Sequence, residues 1–143
     1  MATWEEFARA APDLASIGHE RLEDRVAFLA TLDADGGPRV HPVGVWFGAG
    51  RAFVRMFPAS PKVTDLERDP RYAMHALMEH MSGEGGEFAM RGRASRVTDP
   101  KLLAAATDGR VASERYVVFE FGVSDAVATS YAGDRTVRTR WRE

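Results

Sequence analysis

The sequence predicts a mainly β protein, a closed or nearly closed antiparallel barrel with helices at its periphery. Short strand-like runs recur at regular spacing, Asp-Gly and Gly-x-Gly turns punctuate them, and few segments carry a helical apolar period. About six or seven strands are expected. They form a single domain over residues 1–143, with a helical segment at 1–24 and the barrel at 25–143.

Residues 4–23 read as helix because Trp4, Phe7, Ala8 and Ala11 share one face, which Leu14, Ile17 and Leu22 extend. Pro12 splits the segment and opens a second helix at its first turn. The nearly continuous apolar run 26–32 is a central strand. Asp33-Ala34-Asp35-Gly36-Gly37 turns the chain into a second strand, where Pro42 implies an edge or a bulge. Gly48-Ala49-Gly50 leads into a third strand at 51–57. A helix over 61–68 ends at Asp69-Pro70, and 72–78 forms a fourth strand. The fifth has the cleanest alternation, with Phe88, Met90, Gly92 and Ala94 on one face and Glu87, Arg91, Arg93 and Ser95 on the other. Thr98-Asp99-Pro100 caps a further helix through Leu102, Leu103 and Ala106, stopped by Asp108-Gly109. Val117, Phe119, Phe121 and Val123 line a sixth strand. A hairpin of 126–131 and 136–141 closes the chain.

Composition narrows the function. A net charge of -2 argues against a nucleic-acid binder, which normally carries a basic patch and a high pI. No run of about 18 apolar residues is present to span a membrane. The first residues lack a basic-then-apolar leader pattern, which points to the cytosol. With no cysteine, disulfides, thiol catalysis and cysteine-ligated metal are excluded. His75 and His80, five apart, share a face of neither a helix nor a strand, so no metal site is expected. Gly83-Glu84-Gly85-Gly86 precedes a strand and reads as a connection, not a phosphate loop. No nucleophile–base–acid set is recognisable, so catalytic residues stay unassigned.

One segment does carry chemistry. Ser60-Pro61-Lys62 opens a helix with an N-cap residue, a first-turn proline and a full positive charge beside the positive end of the helix dipole. Arg39 and Arg55, on the two preceding strands, can converge there to seat a phosphate. Of 19 basic residues only Lys62 and Lys101 are lysine. The plain alternative is that these are solvated surface charges.

ATLDADGGPRVHPV, SPKVTDLERDPRYAMH, GEFAMRGRASRVTDP and RYVVFEF, in that order, resemble the FMN-binding split-barrel proteins related to pyridoxamine 5′-phosphate oxidase. The resemblance covers roughly residue 23 to the C-terminus. It implies an antiparallel split β-barrel, FMN or the deazaflavin F420 as cofactor, and a homodimer with cofactor sites between subunits. Carried over by position, Arg39 and Lys62 would hold the cofactor phosphate, with Ser60 beside them. Three positions depart from the family's pattern. Met56 replaces a small hydroxyl residue, Pro61 an arginine, and Glu87 the glutamine that faces the flavin ring. The C-terminal extension that grips substrate in true pyridoxamine phosphate oxidases is absent, which argues against that activity.

The expected cofactor-binding residues are therefore Arg39, His41, Arg55, Met56, Ser60, Lys62 and Glu87. The implied function is FMN- or F420-dependent oxidation or reduction of a small organic substrate, in which the ring carries the hydride and the protein orients it. A carrier or sensor of cofactor or haem on the same barrel is the alternative, and a barrel without cofactor a third. Arg135, Arg138, Arg140 and Arg142 can meet the anionic tail of F420, or simply be solvated.

Overall fold

A computed structural model describes residues 1–107 and 115–143. Its elements in chain order are α1 (Trp4–Ala10), α2 (Pro12–Leu22), β1 (Val26–Leu32), β2 (Pro38–Gly44), β3 (Trp46–Gly48) and β4 (Arg51–Met56). They continue as α3 (Pro61–Arg68), β5 (Arg71–Ala76), β6 (Glu87–Arg96), α4 (Pro100–Ala106), β7 (Val117–Ala132) and β8 (Arg135–Arg142). The predicted antiparallel barrel with peripheral helices is found. The stop expected at Asp108-Gly109 lies outside the described residues.

The strands form one antiparallel sheet in the order β2-β1-β5-β6-β7-β4-β3, with β8 also paired to β7. One edge of β7 carries β6 along most of its length. The other edge is divided: its first residues pair with β4, from Val117 to Glu120, and its last with β8, from Asp125 to Ala132. That division opens the barrel between β4 and β8. Two strands anticipated at 117–123 and 126–131 are thus one continuous strand. A register shift opposite Arg91/Gly92 adds a residue at Ser124, so the chain bends without leaving the sheet. Gly92 permits the bend, since a Cβ there would stand 2.0 Å from the Gly122 carbonyl oxygen. The third strand expected from sequence is β4, preceded by the three-residue β3. Pro42 lies on β2, an edge strand, where its missing N–H costs no ladder bond.

Inside the barrel Phe88, Met74, Leu29, Phe119, Phe121 and Val123 are at most 2% exposed, and Phe7, Leu14 and Leu22 close one end. Burying one such side chain contributes roughly 1.5–3 kcal/mol. The α2 helix approaches closely because Gly18 leaves room for the Phe88 ring, 2.5 Å from where a Cβ would sit. A second, smaller cluster of Phe53, Val97, Ala106 and Val118 packs α4 on the outside of β4 and β7. Among the described residues no helix is long and apolar enough to cross a membrane.

Candidate functional site

Strand alternation on β1 and β2 sorts side chains to two sides. Thr31, Arg39 and His41 point toward α3, whereas Ala30, Val40 and Phe28 point to the outer face. Around the α3 opening the first group meets Lys62 and Asp65. Lys62 Nζ donates to Ser60 Oγ at 2.8 Å. It has no carboxylate partner among the described residues, and burial lowers its ammonium pKa.

Asp65 is the hub. Its side chain is 2% exposed and accepts from Thr31 Oγ1 at 2.7 Å, Arg39 Nη2 at 3.3 Å and Arg68 Nη2 at 3.1 Å. Arg39 Nε is also 3.0 Å from Oδ2, at an angle that makes an ion contact but no hydrogen bond. Burial by itself would raise the Asp65 pKa. The hydrogen bonds from Thr31 and Arg68, with the charges of Arg39 and Arg68, outweigh it and hold the group below the usual carboxylate range.

The hydroxyl of Thr31 commits its proton to Asp65. Toward His41 Nε2, 3.2 Å away, it can therefore only accept, which fixes the imidazole proton on Nε2. Burial, then the neighbouring Lys62 charge, lowers the His41 pKa, with Arg39 adding to the effect and Asp65 opposing it. His41 is thus a neutral ring at pH 7, with Nδ1 as its acceptor.

Three expectations need correction here. Ser60 occupies the N-cap position, but its hydroxyl accepts from Lys62 and makes no capping bond. Arg55 does not converge on Lys62: its guanidinium lies 3.9 Å from the centre of the Trp46 ring, on the face of β4 that holds Phe53. Met56, expected at a cofactor, points the other way on that strand and is 2% exposed within the barrel core. Alternation decides both, because adjacent residues of β4 must face opposite sides.

Glu87 lies apart from the α3 cluster, in a cleft of about 610 Å³ on the outer face of the sheet. A cross-strand row, Pro42–Phe28–His75–Ala89–Val127–Arg140, runs over six strands, and Val40–Ala30–Ala73–Arg91–Asp125–Arg142 runs beside it. Alanine at 30, 73 and 89 makes the depth, since these outward positions carry only a methyl group. His75 Nδ1–H donates to the Ala76 carbonyl at 2.6 Å, leaving Nε2 3.5 Å from Glu87 Oε1. Tyr131 donates its hydroxyl to Glu87 Oε2.

The family model for pyridoxamine 5′-phosphate oxidase matches residues 19–135. The chain belongs to the pyridoxamine 5′-phosphate oxidase family. No curated protein matches the sequence. Among solved structures, a haem-binding protein from Mycobacterium smegmatis superposes with a TM-score of 0.66 at 19% identity, over 87% of this chain and 57% of that one. This chain therefore spans little more than half the length of that protein. HutZ, a haem storage protein from Vibrio cholerae, gives 0.63 at 17% identity, over 80% and 89% of the two chains. An F420 reductase gives 0.57 at 17% identity, over 76% and 94%. At these identities the likeness is one of fold.

Two charged hubs of this family member, Asp65 and Asp125, were not singled out from sequence. Asp125, with a side chain 9% exposed, accepts from Arg140, Arg91 and Arg142. The Arg140 hydrogen bonds foremost hold its pKa far below the ordinary value, against burial and with help from Arg91 and Arg142. Groups with depressed folded pKa values stabilise above the unfolded value, near 3.9 for aspartate, and lose that contribution as pH falls. The lowered His41 pKa gives a shallower loss of the same sign below about pH 6.5. The thermal midpoint is therefore expected to decline gently from about pH 6.5 and steeply below about pH 4. Scanning calorimetry across pH 3–8 measures this, and a midpoint that rose on acidification would contradict it.

Proposed function

We propose that this protein is an oxidoreductase that binds FMN or F420 as a homodimer and passes a hydride to or from a small organic substrate. The observation that carries the reading is Lys62, an ammonium without a carboxylate partner among the described residues, beside the opening of an eight-residue helix and flanked by Arg39 and His41. A phosphate is the group such a corner attracts. Family membership supports it, as does the fold shared with an F420 reductase. The two-subunit arrangement has support from strand geometry. The α3 cluster and the Glu87 cleft face opposite sides of β1 and β2, so one cofactor reaches both most simply when they come from different copies.

In this reading Lys62, Arg39 and Ser60 hold the phosphate, and His41, neutral, offers Nδ1 as an acceptor. When bound, the ring system supplies the hydride chemistry. The cleft's alanines and Phe28 exclude water from its face.

A second reading, haem binding, is favoured by one feature: His75 has its Nδ1 fixed by a backbone carbonyl and its Nε2 toward the cleft, as an iron-ligating imidazole requires. Two of the structural neighbours are haem proteins. Titration of the purified protein with FMN, F420 and haemin, followed by absorbance, separates the readings. The expected result is saturable binding of FMN or F420, then reoxidation of the reduced cofactor in the presence of enones, quinones or nitroaromatics. Binding without turnover favours a carrier, a Soret band lost in His75→Ala favours haem, and failure to bind FMN or F420 overturns the oxidoreductase.

A further inference from the structure

We propose that the outer cleft is a recognition site for flat, apolar organic carboxylates, with Arg138 as the residue that selects the negative charge. The inference deepens the reading above and rests on it, assigning its substrate to a chemical class; the apolar bed is shared with the cofactor's face, and the arginine end of the cleft, Arg138 and Arg140, supplies the selection.

The floor and the end of the cleft differ in chemistry. The floor is formed by Phe28, Ala73, Ala89 and Val127 on adjacent strands, an apolar bed with a trough where the alanines lie. A planar ring system can lie there in van der Waals contact without leaving a polar group unpaired. The volume, about 610 Å³, falls in the range that takes a drug-sized ligand. The β8 end is formed instead by arginines. Asp125 is shared by Arg91, Arg140 and Arg142, and three guanidiniums on one carboxylate leave positive charge uncancelled.

Arg138 adds to that excess. It lines the cleft, is exposed, and has no carboxylate partner among the described residues. Its place is fixed by register: Arg138 pairs with Thr129, and Thr129 with Glu87, so the three form a row across β8, β7 and β6. Glu87 is already engaged by the Tyr131 hydroxyl and faces His75. Arg140 directs Nε and Nη2 at Asp125, which leaves its other amino group for a ligand. Two guanidinium edges, one anchored by Asp125 and one free, thus stand at the end of an apolar bed. A planar carboxylate accepts such edges with two parallel hydrogen bonds, a geometry a neutral alcohol cannot match.

The specificity follows from the balance of terms. The apolar bed binds any flat ring of suitable size with little discrimination, because the hydrophobic term is non-directional. The arginines supply the difference between an acid and its neutral analogue. They also disfavour cationic ligands, although Glu87 lies on the same face.

The test is calorimetric titration of the full-length protein, without added cofactor, with 2-naphthoate and with the neutral 2-naphthylmethanol. The acid is expected to bind about tenfold more tightly than the alcohol. Arg138→Ala and Arg138→Gln are expected to remove that preference while leaving alcohol binding and the thermal midpoint unchanged, since Arg138 is exposed and holds no ion pair among the described residues. Lys101→Ala, on α4 and away from the cleft, is expected to keep the preference. Equal affinities for acid and alcohol in the wild-type protein would overturn the proposal. So would a preference that survives both Arg138 variants, or one that Lys101→Ala abolishes equally. Because FMN and F420 are absent, a protein that binds naphthoate but neither cofactor keeps this site and loses the oxidoreductase reading, and the reverse outcome separates them equally well.

Discussion

Asp65→Ala is expected to destabilise the protein by about 2–3 kcal/mol, lowering its thermal midpoint by about 5–10 °C. The carboxylate is 2% exposed and takes hydrogen bonds from β1, β2 and the last turn of its own helix. Removing it leaves the Thr31 hydroxyl buried without its acceptor and two guanidiniums facing each other across the gap. The arginines are about 40% exposed and can turn to water, so the cost stays below that of breaking a fully buried pair. Asp65→Asn keeps the shape and an acceptor for Thr31 but not the charge, and should cost about half as much. It should also flatten the loss of stability below pH 4, because the depressed carboxyl that drives part of that loss is gone. Chemical denaturation of the three proteins at pH 7 and pH 4 measures both effects. An alanine variant as stable as wild type would mean that Asp65 does not tie α3 to the barrel.

Asp65 also shows why the site was only partly legible. The elements were readable where local chemistry decides them. Pro12 and Pro61 start α2 and α3, the apolar run gives β1, and alternation from Phe88 to Ala94 gives the inward face of β6. Local signals failed where pairing decides. Residues 117–132 look like two strands because Ser124 and Asp125 interrupt an apolar pattern, yet the bulge opposite Gly92 carries the strand through. Asp65 reads as a surface residue of an amphipathic helix, since Thr31, Arg39 and Arg68 surround it only after β1, β2 and α3 pack. Its one local trace is Arg68, three residues on. The outer cleft left a fainter trace, alanine at outward positions of β1, β5 and β6. That pattern gains meaning only with the register that aligns Ala30 with Ala73 and His75 with Ala89. The anion corner was legible because Ser60, Pro61 and Lys62 are contiguous. Arg55 stays out of that corner because a place on a neighbouring strand does not fix a side; alternation along β4 does, and it turns Arg55 to Trp46.

Lys62→Ala is expected to weaken binding of FMN or F420, whichever the protein takes, by about ten- to a hundredfold. A charge-assisted contact to phosphate contributes roughly 1.5–3 kcal/mol, and each 1.4 kcal/mol is a factor of ten. The surroundings set where in that range the loss falls. Arg39 is already held by Asp65 and has little free charge to offer a phosphate, whereas among the described residues Lys62 is bound only to the Ser60 hydroxyl, a neutral group. A phosphate arriving at α3 therefore displaces no counter-ion from the lysine, and most of its electrostatic stabilisation comes from that one ammonium. Stability should barely change, because no ion pair among the described residues is broken. Arg39→Ala should do the opposite, costing stability through Asp65 while weakening cofactor binding less. Lys62→Arg restores charge but not shape, so it should recover only part of the affinity. Fluorescence-quenching titrations with FMN and F420 distinguish these outcomes. Affinity unchanged in Lys62→Ala would move the phosphate away from the opening of α3 and leave the cleft as the cofactor's seat.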